Sequence, residues 1–97
     1  MARIELAPGM FDDFDRILEH LAQFESPAVS TRIDEIMRAI DVLASNPLIG
    51  RPTATSMREL LIGRDAAGYV ALYRYVDALD IVLVLALWSQ REAGYAH

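Results

Sequence analysis

Apolar positions recur along this chain with two different periods, and the change of period divides it in two. From Met10 to Phe24 the apolar residues Met10, Phe11, Phe14, Ile17, Leu18, Leu21 and Phe24 come in steps of three and four, which places them on one face of a helix. Asp12, Asp13, Asp15, Arg16 and Glu19 fall mostly on the opposite face. The aspartates sit in the first turns, where negative charge complements the helix dipole. Ser26-Pro27 reads as an N-cap followed by proline at the first helical position. A second stripe, Val29, Ile33, Ile36, Met37, Ile40, Leu43 and Ala44, keeps the helical spacing until Asn46-Pro47 ends it, because a residue before proline avoids helical geometry. So short a link makes the two helices an antiparallel hairpin, whose apolar stripes need a sheet face to cover.

From Arg58 onward the pattern is that of strands: Arg58 to Ile62, Tyr69 to Val76, and Ile81 to Trp88. The breaks at Gly63 to Gly68 and Asp77 to Asp80 are too short for a parallel crossover, so these strands pair as antiparallel hairpins. Ile81 to Trp88 is apolar throughout, which predicts a strand inside the sheet and covered on both faces. Ala2 to Leu6 alternates weakly before Pro8-Gly9 and reads as a short strand that can lie beside it, with Pro8 suited to open the first helix. Pro47 to Met57, with two prolines and a glycine, reads as a loop. The expected fold class is α+β: one domain over residues 1–97, ordered β-α-α-β-β-β, with a helical hairpin packed on one face of an antiparallel sheet.

Composition narrows the function. Hydrophobic residues make up 54% of the 97, slightly above the roughly 45–50% of ordinary globular domains, and a small chain with surplus apolar surface keeps some of it for a partner. There is no cysteine, which excludes disulfides and thiolate metal sites, and two histidines, His20 and His97, give no basis for a histidine metal site. No GxGxxG, Walker or GxSxG motif is present, so no cofactor is expected. The N-terminus shows no basic segment followed by an apolar stretch, and the run Ile81 to Trp88 is far shorter than the roughly 20 residues that span a bilayer. A cytoplasmic location is the expectation. Net charge is −5, and all nine basic residues are arginines. Residues 1–46 hold four of them against nine acids, whereas the rest holds five against five. That acidic half argues against a broad phosphate-binding surface but leaves room for a local arginine cluster on the sheet.

Asp12, Asp13, Asp15 and Glu19 read as a solvated helix face, and His20 as a histidine at the border of the apolar stripe. Tyr69, Tyr73 and Tyr75 share one face of the middle strand, as cross-strand packing residues do; Val70, Leu72, Arg74 and Val76 share the other. The arginines carry more information. Arg58 opens a strand, Arg64 sits in a hairpin connection, Arg74 is mid-strand and Arg91 follows the last strand. Arg74 has apolar neighbours on its face, so it pairs with a carboxylate of its own chain, lies at an open face, or awaits an acidic partner segment.

Four stretches carry a resemblance: Leu48-Ile-Gly-Arg-Pro, Met57-Arg-Glu-Leu-Leu-Ile-Gly, Gly68-Tyr-Val-Ala-Leu-Tyr-Arg-Tyr and Leu87-Trp-Ser-Gln-Arg-Glu-Ala-Gly-Tyr. Their order and spacing closely resemble the RelE/ParE superfamily, the toxins of plasmid-stabilisation (type II toxin–antitoxin) systems. The resemblance implies one of two mechanisms. RelE-like members are ribosome-dependent mRNA endonucleases; ParE-like members inhibit DNA gyrase through protein contacts. The nuclease branch is similar in carrying an arginine after the Gly-Tyr entry to the middle strand, where this chain has Val70, and lysines before it, where this chain has none. Its C-terminal arginine, tyrosine or histidine does have counterparts in Arg91, Tyr95 and His97. The balance resembles the ParE-like branch, which implies no catalytic residues, and direct sequence-specific nucleic-acid binding is not expected. If the chain is instead a nuclease, Arg58, Arg74, Arg91, Tyr95 and His97 are the candidates. A chromosomal homologue with decayed toxicity is the third reading. All three imply a ParD-like antitoxin, encoded in the adjacent reading frame, whose segment covers the toxin at an apolar strip near Arg58, Arg64 and Arg74.

Overall fold

The computed structural model describes residues 1–24, 29–63 and 68–90, with side chains for all of these except 21–24 and 29. Ser26-Pro27, Arg64, Arg91, Tyr95 and His97 lie outside the described residues. The chain runs β1 (Arg3–Leu6), α1 (Gly9–Phe24), α2 (Val29–Val42), β2 (Arg51–Pro52), β3 (Arg58–Ile62), β4 (Tyr69–Val76) and β5 (Ile81–Ser89), with a 3-10 turn at Asp77–Leu79 between β4 and β5. The sheet order is β1-β5-β4-β3-β2. The expected α+β arrangement of a helix pair on a sheet is therefore present.

Two details differ from the sequence reading. The sheet is mixed, because β1 lies parallel to β5, with Arg3 opposite Ile81 and Leu6 opposite Val84. The rest of the sheet is antiparallel. In addition, the stretch read as loop holds a two-residue strand, Arg51–Pro52, at the outer edge of β3. Proline is tolerated there because an edge residue need not donate to a ladder.

Period-two alternation sorts the sheet residues between its faces, except at one place. Leu72 pairs with Ala86 and Tyr73 with Val84, so Leu85 is an extra residue in β5. This bulge resets the alternation so that Val82, Val84 and Leu87 all face the helices and are buried. With Met10 and Ile17 of α1, Ile36 and Ile40 of α2, and Tyr69, Ala71 and Tyr73 of β4 they form the core. Each large apolar side chain buried this way contributes roughly 1.5–3 kcal/mol.

The helical stripe that touches the sheet is narrower than the spacing implied. Met10 and Ile17 are buried, whereas Phe11 and Leu18 are 64% and 38% exposed. Each is one residue, roughly 100° of rotation, beyond a buried neighbour. Met37, one residue past the buried Ile36, is exposed for the same reason. Among the described residues no helix is long and apolar enough to cross a membrane.

Candidate functional site

With both helices on one side, the sheet has a second face that no described element covers. The register assigns to it Glu59 and Leu61 of β3, Val70, Leu72, Arg74 and Val76 of β4, and Ile81, Leu83, Ala86 and Trp88 of β5. β5 does lie inside the sheet, as its apolar run predicted, but it is not covered on both faces. Val82, Val84 and Leu87 are buried against the helices, while Ile81, Leu83, Ala86 and Trp88 are only half-buried. Its apolar content therefore supplies a surface as well as a core. Val70 is the one fully shielded member of the open face, at 5% exposure.

Arg74 stands in the middle of this strip, directly across from Leu83. It is exposed and makes no hydrogen bond or ion pair with a described residue. Of the alternatives the sequence left open, pairing with a carboxylate among the described residues is therefore not what holds it, and it lies at an open face. Glu59, on the same face, is paired with Arg51 at 2.9 Å.

Arg58 is placed differently. It pairs with Tyr73 and so belongs to the helix side of the sheet. Its guanidinium Nη1 donates to the carbonyls of Leu48 at 3.0 Å and Gly50 at 2.8 Å. The buried Tyr73 hydroxyl completes this clamp, accepting from Gly50 N–H and donating to Pro47 O, both at 2.8 Å. Burial raises the Tyr73 pKa above its ordinary 10.0, opposed by the Gly50 hydrogen bond and by the nearby Arg58 charge. The loop so held presents Leu48 and Ile49 to solvent, 59% and 57% exposed. Gly50 is the residue the clamp requires, since a Cβ there would lie 2.6 Å from the Tyr73 ring. Arg58 and Arg74 are thus on opposite faces and form no common cluster.

The acidic helix face needs one correction. Asp12, Asp15 and Glu19 are exposed as expected, but Asp13 is not a solvated carboxylate. Its Oδ2 accepts from Leu87 N–H at 2.8 Å and its Oδ1 from Arg16 at 3.0 Å, while Arg16 Nη2 donates to Leu87 O at 3.0 Å. β1 ends opposite Val84, so among the described residues the outer edge of β5 beyond it has no strand beside it. Asp13 and Arg16 stand in for the missing strand, one as acceptor and one as donor. Nothing in the helical period distinguishes Asp13 from its neighbours. His20 is exposed, at the border of the stripe. Tyr75 donates its hydroxyl to Asp80 Oδ1 at 2.7 Å, which raises the Tyr75 pKa, with burial and the charges of Asp80 and Asp77 adding to the shift. Among the described residues no group of three His, Asp or Glu side chains is placed to hold a metal ion.

Comparison with known proteins agrees with this architecture. The toxin RelE3 of Caulobacter vibrioides is 33% identical over 85 residues, which is 87% of this chain and 92% of that protein. A chain from the structure of the chromosomal ParDE TA system of P. aeruginosa has the same fold, with a TM-score of 0.75 at 19% identity, over 92% of this chain and 96% of that one. The family model for the ParE toxin of the type II toxin–antitoxin system parDE matches residues 4–94. The chain thus belongs to the ParE toxin family of type II toxin–antitoxin systems, the ParE-like branch of the RelE/ParE superfamily.

Proposed function

We propose that this toxin acts in the cytoplasm by gripping DNA gyrase, breaking no bond itself, and that a ParD-like antitoxin neutralises it by covering the open sheet face. One observation carries the reading: the open face is an apolar strip in which, among the described residues, Arg74 is the one uncommitted guanidinium. Metal-free RNA cleavage needs a base for the 2′-hydroxyl, a cation for the phosphorane and an acid for the leaving oxygen, all converging on one point. Arg58 faces the other way and holds loop carbonyls, and the Tyr75 hydroxyl is engaged with Asp80. An apolar strip with one cation suits instead a helical or extended protein segment that buries the strip and sets a carboxylate on Arg74. The match to the ParE family model supports gyrase as the target.

The likeness to a relative named toxin RelE3 favours a second reading, a ribosome-dependent endonuclease whose candidates are Arg58, Arg74, Arg91, Tyr95 and His97. Inducing the chain without antitoxin separates the two. An SOS response with loss of gyrase supercoiling and intact messages is the expected result. Messages cut at the ribosome, with cutting lost on replacing Arg91 or Tyr95, would sink the proposal. Normal growth with neither signature would mark a homologue whose toxicity has decayed.

A further inference from the structure

The described residues include seven arginines, and five of them are committed within the chain. Arg3 pairs with Glu5, Arg16 with Asp13, Arg32 with Glu35 and Arg51 with Glu59, while Arg58 holds the carbonyls of Leu48 and Gly50. Arg38 and Arg74 make no hydrogen bond or ion pair with a described residue, and both are exposed. In a chain of net charge −5, uncommitted cations are the points at which an acidic partner meets attraction instead of repulsion.

Arg38 is on α2 and lines a cleft of about 600 Å³ between that helix and the end of β3. Arg32, Glu35, Leu61 and Gly63 are also in its walls. Leu61 links this cleft to the open face, because it sits opposite Val70 on that face, is 50% exposed and also lines the cleft.

The backbone beside the cleft is an open sheet edge. β2 reaches only as far as Glu59. Thr53 N–H donates to Met57 O at 3.1 Å, so by the antiparallel alternation Met57, Glu59 and Leu61 turn their backbone groups toward that edge. Leu61 has no strand beside it there among the described residues. Gly63, at φ 78°, ends β3 without a side chain to obstruct an incoming strand.

We propose that the acidic partner segment, having crossed the open face at Arg74, turns round the edge of β3, adds a strand along Leu60–Ile62 and sets a carboxylate on Arg38. This rests on the antitoxin reading above and extends it to a second anchor. Arg74 is four residues along β4 from Val70, so the path from Arg74 to Leu61 is roughly 14 Å, allowing ~3.3 Å per residue and ~4.8 Å between strands. About four extended residues cover that distance, or between two and three turns of helix. A segment that grips both arginines therefore carries its two acidic positions separated by at least that length. Strand addition supplies affinity through backbone hydrogen bonds, and the two cations supply register.

The test uses the full chain and, as probe, the purified protein encoded in the adjacent reading frame. Calorimetric titration compares the unaltered chain with Arg38→Glu, Arg38→Lys and Arg74→Glu, and hydrogen exchange follows the Leu61 amide with and without the probe. The expected result is a loss of at least about tenfold in affinity for Arg38→Glu and for Arg74→Glu, near-normal binding for Arg38→Lys, and slowed exchange at Leu61 in the complex. If Arg74→Glu weakens binding but Arg38→Glu does not and Leu61 exchanges freely, the second anchor is wrong while the open-face reading stands. Weakening by Arg38→Glu without protection at Leu61 also overturns it, since a charge effect alone leaves the edge open. If the unaltered chain does not bind the probe, the antitoxin reading itself fails and this extension falls with it.

Discussion

Removing one oxygen from the core tests how the loop before β2 is held. Tyr73 is fully buried, and its hydroxyl has two partners at 2.8 Å: it accepts from Gly50 N–H and donates to Pro47 O. Tyr73→Phe keeps the ring and deletes both bonds. Gly50 is buried, so its N–H is left without a partner at a cost of ~1–3 kcal/mol. Pro47 is half-buried, so its carbonyl regains some water and adds only ~1 kcal/mol. The sum, roughly 2–4 kcal/mol, is a large share of the ~5–15 kcal/mol that stabilises a domain. For a chain of this length it corresponds to a fall in Tm of roughly 10–25 °C. Urea unfolding is the assay, with the expectation of a lower midpoint and an unchanged slope. Tyr75→Phe serves as the comparison, because it removes an exposed hydroxyl bond to Asp80 and is expected to stay within ~0.5 kcal/mol. A Tyr73→Phe midpoint equal to that of Tyr75→Phe would refute the idea that the hydroxyl is what holds the loop.

The same hydroxyl gives a pH dependence. Burial raises the Tyr73 pKa, so its contribution is fully present below the unfolded value of 10.0 and is lost as pH rises through the higher folded value. Stability measured on the alkaline side is expected to fall more steeply for the unaltered chain than for Tyr73→Phe; Tyr75, raised chiefly by its bond to Asp80, titrates in both and cancels in the difference. Gly50→Ala puts a Cβ 2.6 Å from the Tyr73 ring and is expected to cost ~1–3 kcal/mol or more by overpacking, read from the same urea curves. Asp13→Ala leaves the Leu87 N–H without its acceptor, with an expected loss of ~1–3 kcal/mol and faster exchange of the Leu87 amide, whereas Asp12→Ala removes only a first-turn charge and is expected to cost at most ~1 kcal/mol and to leave Leu87 exchange unchanged.

The parts of this fold that were legible in the sequence are those set by local periodicity. Steps of three and four marked α1 and α2, and the breaks after Ile62 and Val76 dictated hairpins, because both are too short for a parallel crossover. Long-range geometry was less accessible. The parallel placement of β1 against β5 joins residues almost eighty positions apart, and no local pattern encodes its direction. The same holds for Asp13. Its role depends on where β1 stops, at Leu6 opposite Val84, which leaves the next stretch of β5 edge for a helix side chain to satisfy. The bulge at Leu85 was hidden for a different reason: in an apolar run, a one-residue slip exchanges one hydrophobic residue for another and leaves no trace in the alternation. Arg58 shows the limit for the site itself. Its position at a strand start suggested a contact for an acidic partner, and only the register reveals that it shares a side of the sheet with Tyr73 and is spent on two carbonyls.

That distribution bears on why every cation in this chain is an arginine. Arg16 reaches a carboxylate and a backbone carbonyl at once through two different nitrogens, Nη1 to Asp13 and Nη2 to Leu87 O. A lysine offers one compact charge at the end of a flexible stem and cannot span two acceptors with a fixed fork. Guanidinium is also the more weakly hydrated cation, so an arginine standing among Leu72, Leu83 and Val76 loses less when a partner strips its water. The two demands, bracing a small fold and keeping a cation ready within an apolar strip, therefore select the same residue. They remain separable by experiment: Arg16→Lys is expected to lower stability through the lost Leu87 contact, while Arg74→Lys is expected to leave stability unchanged and weaken antitoxin binding. A chain that loses stability equally at both positions would show that Arg74 is a bracing residue after all.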